Sequence, residues 1–237
     1  MIYLFTKLSH LRMKKLLPLL VLPFLLLTSC GKSKISEGEL TYDVTYPHME
    51  VTGLMSAILP KEMTIIFQGT KMMTTISRGR IFETKVITDE ADNSIEMRLE
   101  FGDKKYFCVI PKAEIDELLN TQPTYTINKT EEEDSIKGVF CTKYDVSSTD
   151  SIQPGDAWFT EDFSIQKGAW FSAYKDLVGM PIIYDVERYG LLMHVESNGF
   201  SQREVMEDEF LRDPSLIEED FNTYETEVQE LFDILLD

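Results

Sequence analysis

Histidine and cysteine are scarce in this chain of 237 residues, which has three of each. Beyond residue 30 the histidines are His48 and His194, and the cysteines are Cys108 and Cys141. Their spacing does not suit zinc, and no G-x-S-x-G or H-E-x-x-H pattern occurs. A catalytic base needs a nucleophile or a metal ion within reach. We therefore expect both histidines to be structural, the protein not to be an enzyme, and no cofactor or metal to be bound.

Basic residues are also few, with 23 Lys and Arg against 41 Asp and Glu. Four of the basic residues precede residue 31 and none of the acids does, which leaves a net charge of −22 on residues 31–237. This charge argues against nucleic acid as a partner and against peripheral attraction to anionic lipid. A chain of this length can bury one sizeable core, so a single folded domain is expected.

A long apolar run is missing, because the continuous run at residues 16–27 is shorter than the ~20 residues of a membrane-spanning helix. It follows a basic, acid-free stretch and ends in Leu27-Thr28-Ser29-Cys30. This order is typical of a signal peptide that ends in a lipobox. Residues 1–29 are the predicted lipoprotein signal peptide, and Cys30 is the predicted site of lipidation. The alternative is an ordinary signal peptide with a chance cysteine.

Acylation of Cys30 would bind the protein to a membrane, because two or more fatty-acyl chains, such as palmitate, anchor stably. By analogy with bacterial sorting rules, Gly31 in place of aspartate favours the outer membrane. Lys32 and Lys34, in place of an acidic cluster, favour its periplasmic face over the cell surface. Residues 30–38 are the predicted lipidated tether.

Short antiparallel strands are predicted from residue 39 to residue 200. Residues 40–46 alternate between apolar and polar side chains, which is typical of a half-buried strand. Short turns rich in Gly and Asp join the strands that follow, and connections this short force antiparallel neighbours. Predicted strands are 40–46, 63–68, 72–78, 81–88, 95–101, 105–110, 136–146, 157–160, 182–187 and 191–196; predicted short helices are 112–119 and 170–177, while 49–59 fits a helix or an apolar loop and 131–134 an exposed acidic loop.

Residues 201–237 form a predicted acidic C-terminal helical segment. Six apolar residues recur there at alternating spacings of four and three, which is typical of one face of a helix. Asp213 and Pro214 fit the cap and the first helical position. Either the stripe docks on the protein's own sheet, or it binds a partner. The stripe consists of Ile217, Phe221, Tyr224, Val228, Leu231 and Leu235.

Three blocks of the sequence match short family patterns. Residues 136–144 (IKGVFCTKY) are similar to the pattern I-x-G-Y-x-C-x-K, with Val139 in place of Tyr. Residues 157–163 (AWFTEDF) are similar to V-W-Y-T-x-D-I, and residues 177–183 (LVGMPII) to the signature GLPGLI, with Ile182 in place of its second Gly. Together the blocks resemble GLPGLI-type proteins and a related family of unknown function, over roughly residues 38–198.

The resemblance implies a LolA/LppX-like fold. The predicted class is thus α+β: a strongly curved antiparallel sheet, or unclosed β-barrel, with a few helices packed on or inside it and a C-terminal helix. The strand pattern independently gives about ten short strands with a few helices, which agrees with this architecture. The resembled family has no settled activity, so it implies no catalytic residues.

Methionine is concentrated in the first third of the mature chain. Met55, Met63, Met72 and Met73 could line a site for a lipophilic ligand, because Met adapts to irregular apolar surfaces. Alternatively they fill the core. Copper binding is disfavoured, because no M-x-x-M array occurs.

Cys108 and Cys141 lie in predicted strands, and an exported compartment permits a disulfide between them. The sequence does not supply the Cα separation that such a bridge requires. The alternative is that both are buried thiols that act as small apolar side chains.

From these features we expect an outer-membrane lipoprotein, facing the periplasm, that binds a hydrophobic ligand or a lipidated client protein. The alternative is a structural or interaction lipoprotein of an envelope assembly that uses the acidic C-terminal helix. The expected partners are the membrane, through the N-terminal lipid, and a lipophilic ligand or a protein.

Overall fold

The structure, a computed structural model, describes residues 33–149, 153–188 and 190–236. From Lys34 onwards the chain forms one compact unit. Its elements within the described residues are β1 (Glu37–Thr45), α1 (Gly53–Ile58), β2 (Glu62–Gln68), β3 (Lys71–Arg78), β4 (Phe82–Asp89), β5 (Ser94–Phe101), β6 (Lys104–Ile110), α2 (Ile115–Asn120), β7 (Tyr125–Ile136), β8 (Val139–Ser148), β9 (Ala157–Thr160), β10 (Met180–Arg188), β11 (Leu191–Ser201), a 3-10 turn (Glu207–Phe210), β12 (Ile217–Glu218) and α3 (Phe221–Leu236).

The twelve strands of the described residues form one sheet in the order β12-β6-β5-β4-β3-β2-β1-β11-β10-β9-β8-β7. All neighbours are antiparallel except β12 and β6, which are parallel. The edge strands β12 and β7 do not pair with each other in this described part, so the sheet is not closed. The predicted fold class, a curved unclosed antiparallel sheet with a C-terminal helix, is confirmed.

The curvature of the sheet follows from what α3 contacts. In a flat sheet, β6 and β10 would lie about 34 Å apart, which is seven strand spacings. Yet one turn of α3 forms ion pairs with both strands, from Glu227 to Lys104 of β6 and from Glu225 to Arg188 of β10. The sheet therefore wraps around the helix, and its concave face holds the main apolar core.

A smaller apolar cluster covers part of the convex face. Residues 202–212 cross this face, and their Val205 and Phe210 pack on residues of β2, β3 and β4. Arg98 is almost fully buried and fixes the segment by donating hydrogen bonds to the carbonyl oxygens of Phe210, at 2.7 Å, and Leu211, at 2.9 Å. Both faces of the sheet are thus buried at this point.

The C-terminal helix docks on the concave face through the predicted stripe. Tyr224, Val228 and Leu231 are all at least 95% buried. Docking is therefore the interpretation that the structure supports, because the apolar face of the helix already has a partner in the sheet. No helix in the described residues is long and apolar enough to cross a membrane.

The predicted start of that helix is wrong. The helix begins at Phe221, and Asp220 rather than Asp213 accepts the capping hydrogen bond, from the backbone N–H of Thr223 at 3.1 Å. Asp213 instead accepts from the backbone of Ser215, in a separate turn. Ile217, taken as part of the stripe, lies in β12 and is 58% exposed. The parallel pairing of β12 with β6 has no signal in local spacing.

Two other local predictions differ from the structure. The acidic run at residues 131–134 lies inside the edge strand β7 rather than in a loop, and its side chains are exposed. Charged side chains on an edge strand discourage pairing with another chain. Residues 170–177 form successive turns rather than a helix.

The backbone conformation of Gly179 explains why the first glycine of the GLPGLI-like block has to be a glycine. Its φ of +99° is a conformation that L side chains rarely adopt. A Cβ at this position would also lie 2.3 Å from the carbonyl oxygen of Thr160 in the neighbouring strand β9. Only glycine therefore allows β9 and β10 to approach at this point.

We expect Gly179→Ala to destabilise the fold more than Gly190→Ala. Gly190 has a similar φ of +74°, but a Cβ there would meet nothing within 4 Å. Alanine at Gly190 should thus cost only the backbone strain of about 1–2 kcal/mol. At Gly179 steric overlap should add about 1–3 kcal/mol. Urea unfolding of both variants measures the difference, and equal stabilities would contradict this account of the block.

Candidate functional site

An apolar cavity lies between the concave face of the sheet and α3. The volume inside it that the centre of a water-sized sphere can occupy is about 70 Å³, and the wider empty space of about 590 Å³ includes open solvent. The lining comes from three strands of one side of the sheet, two of the other, the connection that follows β1, and the helix. The lining residues are Tyr46, Pro60, Ile76, Phe82, Thr84, Val86, Met97, Arg188, Leu191, Met193, Tyr224, Val228 and Phe232.

Strand alternation and register bring the floor of the cavity together. In β4, residues 82, 84 and 86 share the concave face because alternate side chains of a strand point to the same side. Val86 pairs across strands with Met97 of β5, and Thr84 pairs with Ile76 of β3. A pattern of alternating apolar residues therefore predicts which face is inward, but only the register aligns these side chains.

The roof of the cavity comes from α3. Tyr224, Val228 and Phe232 are spaced four apart, so they lie on one face of the helix. The ring of Phe232 packs edge-to-face on Phe82 of β4, with centroids 6.0 Å apart. The helix therefore covers the space without filling it.

Two phenol groups at the wall of the cavity are already paired with the protein. The hydroxyl of Tyr46 donates to the carbonyl oxygen of Pro60 at 2.9 Å, and that of Tyr224 donates to the carbonyl oxygen of Arg98 at 3.1 Å. Burial raises the pKa of Tyr46 above its ordinary value, so its phenol stays neutral. The lining thus offers an incoming molecule mostly apolar contact.

Arg188 is the only charged residue among the described residues that line the cavity. Its guanidinium binds the carboxylate of Glu225 on α3 at 2.8 Å. On the other side of the helix Lys104 binds Glu227. Ion pairs with about a third of each side chain exposed contribute only about 0–1 kcal/mol each. Apolar packing must therefore supply most of the stability of the docked helix.

Of the methionines predicted to line a ligand site, Met63, Met72 and Met73 do not line this cavity. Met63 and Met72 are buried in the main core, and Met73 belongs to the cluster on the convex face. The side chain of Met55, in α1, lies outside the described residues. The cavity has methionines of its own at positions 97 and 193, which sequence reasoning missed because they lie in β5 and β11, and only the curvature of the sheet brings these strands around one space.

Cys108 and Cys141 are both free thiols in the structure. They lie in β6 and β8, which have eight strands between them in the sheet. Of the two possibilities that the sequence left open, a disulfide or two buried thiols, the structure has the two buried thiols. Burial raises the pKa of Cys108 to about 12 and that of Cys141 to about 11, so neither is a ready nucleophile. The lipidation of Cys30 concerns a residue outside the described ones and stays a prediction.

His194 forms a structural contact on the convex side of β11. Its Nδ1 lies 2.7 Å from Oδ1 of Asp185, which is 3% exposed. The other carboxylate oxygen of Asp185 accepts the backbone N–H of Gly155 at 2.6 Å. The pair thus fixes the segment that precedes β9. In the described residues no group of three or more His, Cys, Asp or Glu side chains could hold a metal ion.

The fold and the cavity define the class of this protein as a β-rich protein with an unclosed sheet around an apolar cavity. The chain belongs to the family described as a domain of unknown function (DUF4412), whose model matches residues 37–175. The label of GLPGLI-type protein is not confirmed. No curated protein is similar enough in sequence to count as a match.

Solved structures that match include two bacterial proteins. One is a beta-barrel-like protein of a domain of unknown function, DUF1849, from Brucella abortus; it has 8% identity and a TM-score of 0.34, with 72% of this chain and 99% of that chain covered. The other is a LolA superfamily protein from Nitrosomonas europaea, with 9% identity and a TM-score of 0.21, covering 77% of this chain and 93% of that chain.

The contact of His194 gives a pH-dependent prediction. The hydrogen bond to Asp185 raises the pKa of His194 above its ordinary value of about 6.5, with a further contribution from Glu196, against the opposing effect of burial. A raised pKa in the folded state contributes stability that is complete below the unfolded value and is lost as the pH rises through the folded value. His194→Gln should therefore lower the melting temperature more at pH 5.5 than at pH 8.5.

The control for this measurement is His48→Gln, because His48 lies in an exposed turn. Its loss in melting temperature should be small and the same at both pH values. A loss for His194→Gln that did not change with pH would contradict the charged contact.

Proposed function

We propose that this protein is a lipid-anchored binding protein that shelters an apolar ligand, with the outer membrane as its anchor and the periplasm as its working compartment. The observation that carries the binding function is the cavity, whose wall is apolar and whose phenol groups are already paired. A ligand with many polar groups would lose its hydration there without gaining partners. An acyl chain, or a similar apolar group of a larger molecule, has no polar groups that would lose their hydration there.

The proposal is binding rather than catalysis, because the described residues that line the cavity include no paired nucleophile and base. The charge of Arg188 is already neutralised by Glu225. The alternative function, an interaction protein that uses the C-terminal helix, would require the apolar stripe of α3 to leave the sheet. The burial of Val228 and its neighbours opposes that change.

Filling the cavity should abolish binding without harming the fold. Val86 lines the cavity and is only partly buried, so Val86→Trp places a large apolar side chain in the empty space. With dodecanol at a hundredfold excess over Kd, residues 31–237 should gain about 2.7 kcal/mol of stability. That gain raises the melting temperature by about 5–10 °C for a domain of this size. Val86→Trp should show no such rise.

The matched control is Val109→Trp, which makes the same substitution at an exposed position of β6. It should respond to dodecanol as the unmodified chain does. If dodecanol, and dodecanoate tested in parallel, failed to raise the melting temperature of the unmodified chain, the binding function would be wrong. A full response in Val86→Trp would place the binding elsewhere.

The anchor is tested separately by metabolic labelling of the full chain with an alkyne analogue of palmitate in a Gram-negative host. The unmodified chain and Cys108→Ala should be labelled, whereas Cys30→Ala should not, because only Cys30 follows the lipobox. The labelled protein should sediment with the outer membrane, and Gly31→Asp should move it to the inner membrane. Label retained in Cys30→Ala would rule out the anchor.

A further inference from the structure

The strands of the sheet define two ends of the folded body. At the first, which we name the tether end, the chain enters β1: the N–H of Ile35 donates to the carbonyl oxygen of Asp162, and Ile35 accepts from the N–H of Ser164. The β2–β3 turn at residues 69–70 lies here too, because Gly69 donates to the carbonyl oxygen of Ser36. The opposite end, which we name the far end, holds the exit of β1 and the connection between β10 and β11.

Aromatic side chains fill the interior at the tether end. Phe67 and Phe163 are fully buried, with ring centroids 5.1 Å apart. Phe200, near the end of β11, packs on both, at 6.4 Å from Phe67 and 5.0 Å from Phe163. This cluster lies next to the point where the chain enters the sheet, so it separates the tether from the rest of the interior.

The cavity lies towards the far end. Tyr46 directly follows the last residue of β1, Arg188 ends β10, and Leu191 begins β11. On the other side of the sheet, Phe82 begins β4 at the same end, since β4 runs opposite to β3. These lining residues therefore lie near the far end, whereas Val86 and Met97, which also line the cavity, lie inside β4 and β5 at the level of Leu40 in β1.

The tether is too short to reach from the start of β1 to the far end. Five residues lead from Cys30 to Ile35, and fully extended they span at most about 18 Å. The nine residues of β1 span about 30 Å. Acylation at Cys30 would thus hold the tether end, and not the far end, close to the bilayer.

We infer that the anchored protein holds its cavity away from the membrane, so that ligand enters and leaves on the side of the aqueous compartment. This inference rests on the proposed anchor, and it states how the proposed binding site is oriented relative to the membrane. The source of the ligand is then a molecule in the aqueous compartment, either free or carried, and not the lipid of the bilayer in which Cys30 sits.

A matched pair of labels measures this orientation. Asp92 and Asp103 are both exposed and lie in the turns before and after β5, at the tether end and at the far end respectively. The acylated full chain carrying a fluorophore at Asp92→Cys or at Asp103→Cys is reconstituted in phosphatidylcholine–phosphatidylethanolamine vesicles with a headgroup-attached quencher. Cys108 and Cys141 are buried, so the new cysteine is the accessible thiol of the described residues.

The label at residue 92 should lose most of its fluorescence, and the label at residue 103 should lose little. Equal quenching at both positions, or stronger quenching at residue 103, would overturn the inference, because the body would then lie on its side or point its far end at the bilayer. If palmitate labelling showed no acylation of Cys30, the inference would fall together with the anchor. The dodecanol assay tests the binding function independently of the anchor.

Uptake gives a second measurement on the same vesicles. The anchored chain should take up dodecanoate from the aqueous phase at the rate of the unanchored chain. It should not take up a pyrene-labelled phospholipid that is confined to its own vesicle. Extraction of that phospholipid would contradict the orientation even if the quenching agreed with it.

Discussion

A sheet that curves without closing leaves an apolar concave face that has to be covered. The rest of this structure depends on how the chain covers it. The strands supply apolar side chains such as Tyr42, Phe67 and Leu99, all fully buried, but strands alone leave the middle of the concave face empty. Two other parts of the chain close it: the turns around Phe163 at the tether end and α3 towards the far end. The turns around Phe163 fill the interior at the tether end, whereas α3 covers the concave face without filling it. The cavity therefore lies under α3.

The same requirement explains why the C-terminal segment is tied down on both faces of the sheet. Before it reaches the concave face, the segment crosses the convex face, where Arg98 bonds two of its carbonyl oxygens. Tyr224, in the helix, then donates to the carbonyl oxygen of Arg98 from the concave side. One buried residue of β5 therefore positions both the outer segment and the helix that roofs the cavity, because its side chain and its backbone oxygen serve opposite faces.

The sequence predicted the parts of the fold that depend on neighbours along the chain. The strands from residue 62 to residue 110 have apolar alternation and short turns, and both signals are local. The long hairpin of β7 and β8 was recognised only in part, because a charged edge strand resembles a loop in composition. The cavity could not be predicted from the sequence for a different reason. Met97, Met193 and Val228 are unremarkable core residues until the curvature brings β5, β11 and α3 around one space.

The charge of the body supports the direction that the strand geometry gives to the cavity. Residues 31–237 carry a net charge of −22, so a leaflet with anionic lipid repels the body. In the proposed anchored protein, attachment opposes that repulsion only at the tether end, where the chain enters the sheet at Ile35. A repelled body held at one end turns its other end outwards, because this increases the mean distance between its acids and the lipid headgroups. Electrostatic repulsion and the proposed attachment at the tether end thus favour the same arrangement, in which the apolar cavity faces water rather than lipid.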